Sequence, residues 1–118
     1  MLTQIDYLVR ANEVWRESFA VQSGDPPEAV DLTGSAFRAQ LRSSEGALLV
    51  VLDASTGNGR LQISDPPTDG MVSWNVPVSV LQNLEPGDYV YDVVWTDAGG
   101  VPDTIMAGVV TIERGITR

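Results

Sequence analysis

The run from Glu85 to Gly100 constrains the fold more than any other part of the chain. It reads Glu-Pro-Gly-Asp-Tyr-Val-Tyr-Asp-Val-Val-Trp-Thr-Asp-Ala-Gly-Gly. A Pro-Gly reversal opens it, aromatic and β-branched residues fill it, and an Asp-Ala-Gly-Gly reversal closes it. Such a segment is a β-strand between two turns. By the two-residue period of a strand, Tyr89, Tyr91, Val93 and Trp95 share one face, and Val90, Asp92, Val94 and Thr96 the other. Both faces carry apolar groups, which predicts a central strand covered on at least part of each side. Asp92 is the residue that breaks the apolar rows.

The rest of the chain repeats this pattern. Gln4 to Arg10 reads as a first strand, with Ile5, Tyr7 and Val9 on one face. Val14 to Gln22 reads as a second, with Trp15, Phe19 and Val21 on a face that also carries Glu17. Period two fits those apolar residues better than a helical period does. Ser23 to Glu28 is a loop, because Pro26 and Pro27 forbid central pairing. In Asp31-Leu32-Thr33-Gly34 the Asp and Thr side chains can bond the local backbone while Gly allows a positive φ. Ser35 to Arg42 alternates Phe37, Ala39 and Leu41 against Arg38, Gln40 and Arg42. A hairpin turn at Ser43-Ser44-Glu45-Gly46 leads to an apolar strand from Leu48 to Asp53. Shorter strands follow at Arg60 to Ser64 and Met71 to Val76, and a helical turn at Val78 to Leu84. The partner of the Glu85–Gly100 strand runs from Thr104 to Glu113, interrupted by Gly108 as a bulge or a close backbone approach. About eight short strands, with turns at roughly 8–12-residue spacing, point to an all-β sandwich or barrel.

Composition narrows the function. With 118 residues and 43% of them hydrophobic, the chain suits a single domain spanning 1–118, with one core and no disordered block. It has no cysteine and no histidine, and all seven basic residues are arginine. Disulfides, thiolate metal sites, a Schiff-base lysine and the commonest general base are therefore excluded. The net charge of −9 is spread over both halves of the sequence. Such a surface repels nucleic acid and anionic membranes. The N-terminus lacks a secretory pattern and no apolar run approaches the ~20 residues of a membrane span, so synthesis as a soluble product in a cytoplasm is expected.

Few residues suggest chemistry. Asp53-x-Ser55-x-Gly57-Asn58 has part of an oxygen-rich calcium loop but lacks the further carboxylates and the distal Glu, so a plain turn is favoured. Asp65 with Asp69, or Asp97 with Asp103, would need to face each other across a cleft to hydrolyse a glycoside. Loop acids are more often turn formers. Neither a metal nor a cofactor is expected. Asp92 can be satisfied by a cross-strand ion pair with Arg38 or Arg42, which would fix register. Trp15, Trp74, Trp95, Tyr7, Tyr89 and Tyr91 are expected in the core rather than on a sugar-stacking platform. Trp15, flanked by Arg16 and Glu17, is the one best suited to a surface, as an interface anchor.

The segment Asp31-Leu32-Thr33-Gly34-Ser35-Ala36-Phe37-Arg38-Ala39-Gln40-Leu41-Arg42 resembles the "DLTG…aqiR" segment of small β-sandwich virion proteins of tailed bacteriophages and prophages, among them the N-terminal domains of upper baseplate proteins. Leu84 to Val93 is similar to that family's "L-x-P-G-x-Y-x-Y-D" strand. Gly99 onward resembles its closing hairpin, with Gly108, Val110 and Ile112 in matching places, and Ile116-Thr117-Arg118 resembles its "vTR" ending. The doubled prolines at Pro26-Pro27 and Pro66-Pro67 depart from it. The resemblance implies an immunoglobulin-like sandwich of about eight antiparallel strands. It also implies a non-enzymatic structural protein of the virion, in tail or baseplate, without catalytic residues. Its partners would be other virion proteins and further copies of itself, with contacts through sheet edges or an apolar sheet face. The N-terminal segment, with Ile5 and Tyr7, and the tail after Ile112 are the expected contact regions. The rival expectation is a carbohydrate- or host-surface-binding module on the same sandwich.

Overall fold

A computed structural model describes residues 3–43 and 50–114. Where the sequence predicts one strand from Gln4 to Arg10, two short strands form, β1 (Thr3–Gln4) and β2 (Tyr7–Arg10). The predicted second strand is likewise divided into β3 (Ser18–Ala20) and β4 (Gln22–Ser23), and β4 makes a small hairpin with β5 (Glu28–Ala29) around the first proline pair. Next come β6 (Ala36–Ser43), β7 (Val50–Ser55), β8 (Leu61–Ile63) and β9 (Met71–Trp74). A single helical turn, α1 (Val78–Leu81), precedes β10 (Gly87–Thr96), and β11 (Pro102–Glu113) closes the described chain. The predicted turn residues Ser44, Glu45 and Gly46 and the ending Ile116–Arg118 lie outside the described residues.

The strands form an immunoglobulin-like β-sandwich. The larger sheet has the order β1-β11-β10-β6-β7, with β2 also paired to β11, and the smaller has the order β3-β9-β8. Within the larger sheet β10 lies between β6 and β11, as its apolar composition predicts. One departure from an antiparallel plan stands at the N-terminus, where β1 and β2 both run parallel to β11. β10 occupies one edge of β11 and the N-terminal strands pair along the other.

Gly108 explains why the N-terminal strand breaks in two. A Cβ there would lie 2.1 Å from the Ile5 carbonyl oxygen and 2.9 Å from an Asp6 carboxylate oxygen. The chain between β1 and β2 runs beside β11 in unbroken register and comes closest to it at Gly108, where no side chain stands in the way. Ile5 N–H donates to the Ala107 carbonyl at 3.1 Å, and the Asp6 carboxylate accepts the Val109 N–H at 3.0 Å. The Tyr91 hydroxyl donates to the Ile5 carbonyl from the neighbouring strand. Gly108 is thus a close backbone approach, one of its two predicted roles.

The core lies between the sheets. Tyr89, Tyr91 and Val93 face it from β10, Phe37, Ala39 and Leu41 from β6, and Val72 and Trp74 from β9. Each fully buried large side chain contributes about 1.5–3 kcal/mol over its exposed form. The outward side of β10 is covered only in part. Val90, Val94 and Thr96 are half-buried and Asp92 is exposed, because no layer lies on the outward side of the larger sheet among the described residues.

Candidate functional site

The aromatic residues that could have made a sugar platform are spent on packing. Trp15 and Trp74 stack with centroids 4.2 Å apart and planes 12° from parallel. Tyr7 and Tyr91 meet Trp74 edge-on at 5.8 and 5.9 Å. Trp95 lies parallel to Phe37 at 6.3 Å, and its indole donates to the Ser35 hydroxyl at 3.0 Å. Such pairs add about 0.5–1.5 kcal/mol beyond area burial.

Trp15 corrects the expectation of a surface anchor, since it is only 3% exposed. Its backbone is bridged to Val76 in both directions, at 3.0 and 3.1 Å, which sets the ring over Trp74. Arg16, Glu17 and Ser18 are all exposed, so strict alternation does not hold in this segment and charged neighbours do not predict an exposed ring. Tyr7 is also buried, and Ile5 is half-buried against the core. The three residues proposed for an interface, Ile5, Tyr7 and Trp15, are packing residues.

Burial leaves an electrostatic signature. Desolvation pushes the Tyr91 hydroxyl far above its ordinary value, aided by negative potential from Tyr7, Asp6 and Glu17. Tyr7 is raised by burial, against the Trp74 indole, and Tyr89 by burial and Glu85. Glu17 is raised by partial burial, which the Trp15 indole opposes. The Trp15 and Trp74 indole N–H groups nonetheless have no hydrogen-bond partner of good geometry.

The predicted ion pair of Asp92 with Arg38 or Arg42 is also corrected. Arg38 binds Asp53, with Nη2 2.8 Å and Nε 3.3 Å from its two carboxylate oxygens, and this holds Asp53 below the usual carboxylate range. Arg42 donates to the Gln40 side-chain oxygen at 3.1 Å. The ladder places Gln40, between the two arginines, directly opposite Asp92, with Ala107 on its other side. Among the described residues no hydrogen bond or ion pair engages the Asp92 carboxylate.

The remaining candidates lie in turns, except Asp103, which is in β11. In the loop after β7, the Asn58 side chain accepts the Ser55 and Arg60 N–H groups and donates to the Asp53 carbonyl. Its oxygens are committed to the backbone rather than directed at a cation. Asp31 accepts the Thr33 N–H and hydroxyl at 3.0 and 2.6 Å, with Gly34 at φ 77°, as the motif predicts. Asp97 accepts from Gly99 and Val101, while Asp65, Asp69 and Asp103 are exposed. Among the described residues no group of three or more acidic side chains is placed to hold a metal ion. No described helix is long and apolar enough to cross a membrane.

Two surfaces bear on binding. On the outward face of the larger sheet, Val109 pairs with Val90 across β10 and β11, and Ala107 with Asp92. A hollow of about 250 Å³ opens there between Gln40, Arg42, Val90, Asp92 and Ala107. On the smaller sheet, Arg16, Ser18, Gln62, Ser73 and Asn75 line a polar groove of about 480 Å³. The outward face was visible in the sequence as the second row of β10. The groove was not, because its residues come from three separate segments.

No protein-family profile matches the chain, and no curated protein matches it. Among solved structures it is similar to CopC from Methylosinus trichosporium OB3b, at 13% identity and a TM-score of 0.49, over 96% of this chain and 88% of that one. It is also similar to murine CRIg, at 12% identity and a TM-score of 0.33, over 95% and 92%. A third similarity is to a chain of a complex of ICOS, ICOS-L and an anti-ICOS-L VNAR domain, at 14% identity and a TM-score of 0.36, over 97% and 55%.

Proposed function

We propose that this protein is a non-enzymatic structural module of a tailed-phage virion, in the tail or baseplate, that works by protein–protein contact. The observation that carries the proposal is the division between the two sides of the larger sheet. All eight aromatic rings are buried or packed against the core, while Val90, Val94, Ala107 and Val109 are left half-exposed on the outward face. A broad sheet face with apolar rows suits a protein partner better than a small ligand. The resemblance of the Asp31–Arg42 and Leu84–Val93 segments to phage virion sandwiches supports the placement in a particle. The test is deletion of the gene from the phage or prophage that carries it. Incomplete tails and lost infectivity, restored by supplying the protein in trans, are expected. Normal infectious particles would overturn the proposal.

A carbohydrate- or host-surface-binding role has one observation in its favour, the polar groove on the smaller sheet. Its hydroxyl, amide and guanidinium groups could hydrogen-bond a glycan without stacking it. A glycan-array signal lost in Arg16→Ala would favour that role.

A further inference from the structure

We propose that the outward face of the larger sheet pairs with the same face of a second copy, through reciprocal contacts between Asp92 of one copy and Arg42 of the other. This rests on the assembly role proposed above and names its partner.

Charge is the first argument. The chain carries −9, so two copies repel over most of their surfaces. The outward face is different. Arg10, Arg38 and Arg42 stand there against Asp53, Asp88, Asp92 and Glu113, three cations to four anions. Four of these groups are matched within the copy, Arg38 with Asp53 and, more loosely at 3.9 Å, Arg10 with Glu113, and the Arg42 guanidinium, which also binds Gln40, has donors enough for a further carboxylate. It is a surface on which like copies can approach.

Position is the second. Across the five strands β2, β11, β10, β6 and β7, the middle one is β10, and Asp92 lies near its midpoint. The carboxylate is exposed, has no partner among the described residues, and is bordered by Val90, Val94 and Ala107. Arg42 is one strand over and two residues along, opposite Val90. That is about 8 Å from Asp92, taking strands ~4.8 Å apart and a rise of ~3.3 Å per residue. A twofold axis through Asp92 itself would set two carboxylates together. An axis midway between Asp92 and Arg42 instead makes two identical opposite-charge contacts, as an isologous interface requires. That midpoint falls in the hollow lined by both residues.

Size is the third. Five strands span roughly 20 Å, and a ten-residue β10 runs about 30 Å, giving about 600 Å² in projection. That suits a standard interface of about 800 Å² of accessible surface per partner. Val90, Val94, Val109 and Ala107 would supply its apolar centre and Leu8, 55% exposed, its rim.

Sedimentation equilibrium on the purified protein from 10 μM to 1 mM tests the proposal. The wild type is expected to dimerise within that range. Asp92→Arg and Arg42→Asp should each raise the dimer dissociation constant more than tenfold, and the double exchange Asp92→Arg with Arg42→Asp should bring it back to within about threefold of wild type. Circular dichroism melts of all three variants establish that they fold, and Val109→Glu provides a second disruption that does not touch the charges. A wild type that is monomeric at 1 mM overturns the inference, as does a dimer that ignores both single reversals and Val109→Glu. If the inference fails while gene deletion still yields incomplete tails, the assembly role stands and its partner is a different protein.

Discussion

Replacing Gly108 by alanine should destabilise the protein by about 2–3 kcal/mol. The added Cβ would lie 2.1 Å from the Ile5 carbonyl oxygen, a contact that backbone on both sides cannot relieve without moving. The segment between β1 and β2 must retreat by an ångström or more. Three hydrogen bonds hold it down, from Ile5 N–H to Ala107, from Val109 N–H to Asp6, and from the Tyr91 hydroxyl to Ile5. At about 1 kcal/mol net for each, their loss costs about 3 kcal/mol. The lower entropy of an unfolded alanine returns about 0.4–1 kcal/mol of that. For a domain of this size the melting temperature should fall by roughly 8–15 °C. Thermal unfolding followed by circular dichroism measures it, with Gly57→Ala as the control. A Cβ at Gly57 meets nothing nearer than the Ser55 hydroxyl at 3.6 Å, and that variant should melt close to wild type. Equal melting of Gly108→Ala and wild type would refute the close approach.

Trp74→Ala should cost about 3–5 kcal/mol in urea unfolding, because the ring is fully buried and stacked on Trp15; a loss below about 1 kcal/mol would contradict the stacked core. All three tyrosines are raised above their ordinary value of 10.0, so absorbance at 295 nm should stay flat through pH 10 while the fold persists. Raised groups contribute stability that is complete below the unfolded value and lost as pH climbs through the folded one, so tyrosine ionisation and alkaline unfolding should coincide. A tyrosine titrating near pH 10 with intact far-UV dichroism would show that ring to be solvated. Asp53 behaves in the opposite sense: its lowered value gives stability that is present above the ordinary 3.8 and lost as pH falls toward its folded value. Arg38→Ala should therefore destabilise slightly at pH 7 and match wild type near pH 2, and an equal deficit at both would mean that Arg38 acts through packing.

The parts of the fold legible in the sequence are those set by local rules. The alternation of β10 between its glycine turns gave its inward row, Tyr89, Tyr91 and Val93, correctly. Asp31-Leu32-Thr33-Gly34 announced its turn through side chains that reach only two residues. Gly108 announced a bulge or a crowded backbone, because a glycine inside a strand of β-branched residues has few other reasons to be there. What stayed hidden depends on how segments meet. Nothing in Tyr7–Arg10 distinguishes parallel pairing on β11 from antiparallel pairing elsewhere. The partner of Arg38 follows from the register of β6 on β7, which puts Asp53 opposite Gln40, so Asp53 and not Asp92 receives it. Arg16 and Glu17 beside Trp15 suggest an exposed ring, but the bridge to Val76 turns it into the core while its neighbours stay outside. Valines at Val90 and Val94 fit a strand whether or not a second layer covers them. The apolar character of the outward face was therefore readable and its exposure was not.

The central claim is membership of a virion, and quantitative mass spectrometry of density-purified particles tests it most directly. The account predicts peptides of this protein at a fixed, integral number of copies per particle, constant through repeated purification. A protein abundant in the lysate but lost from the particles with each round of purification would contradict it.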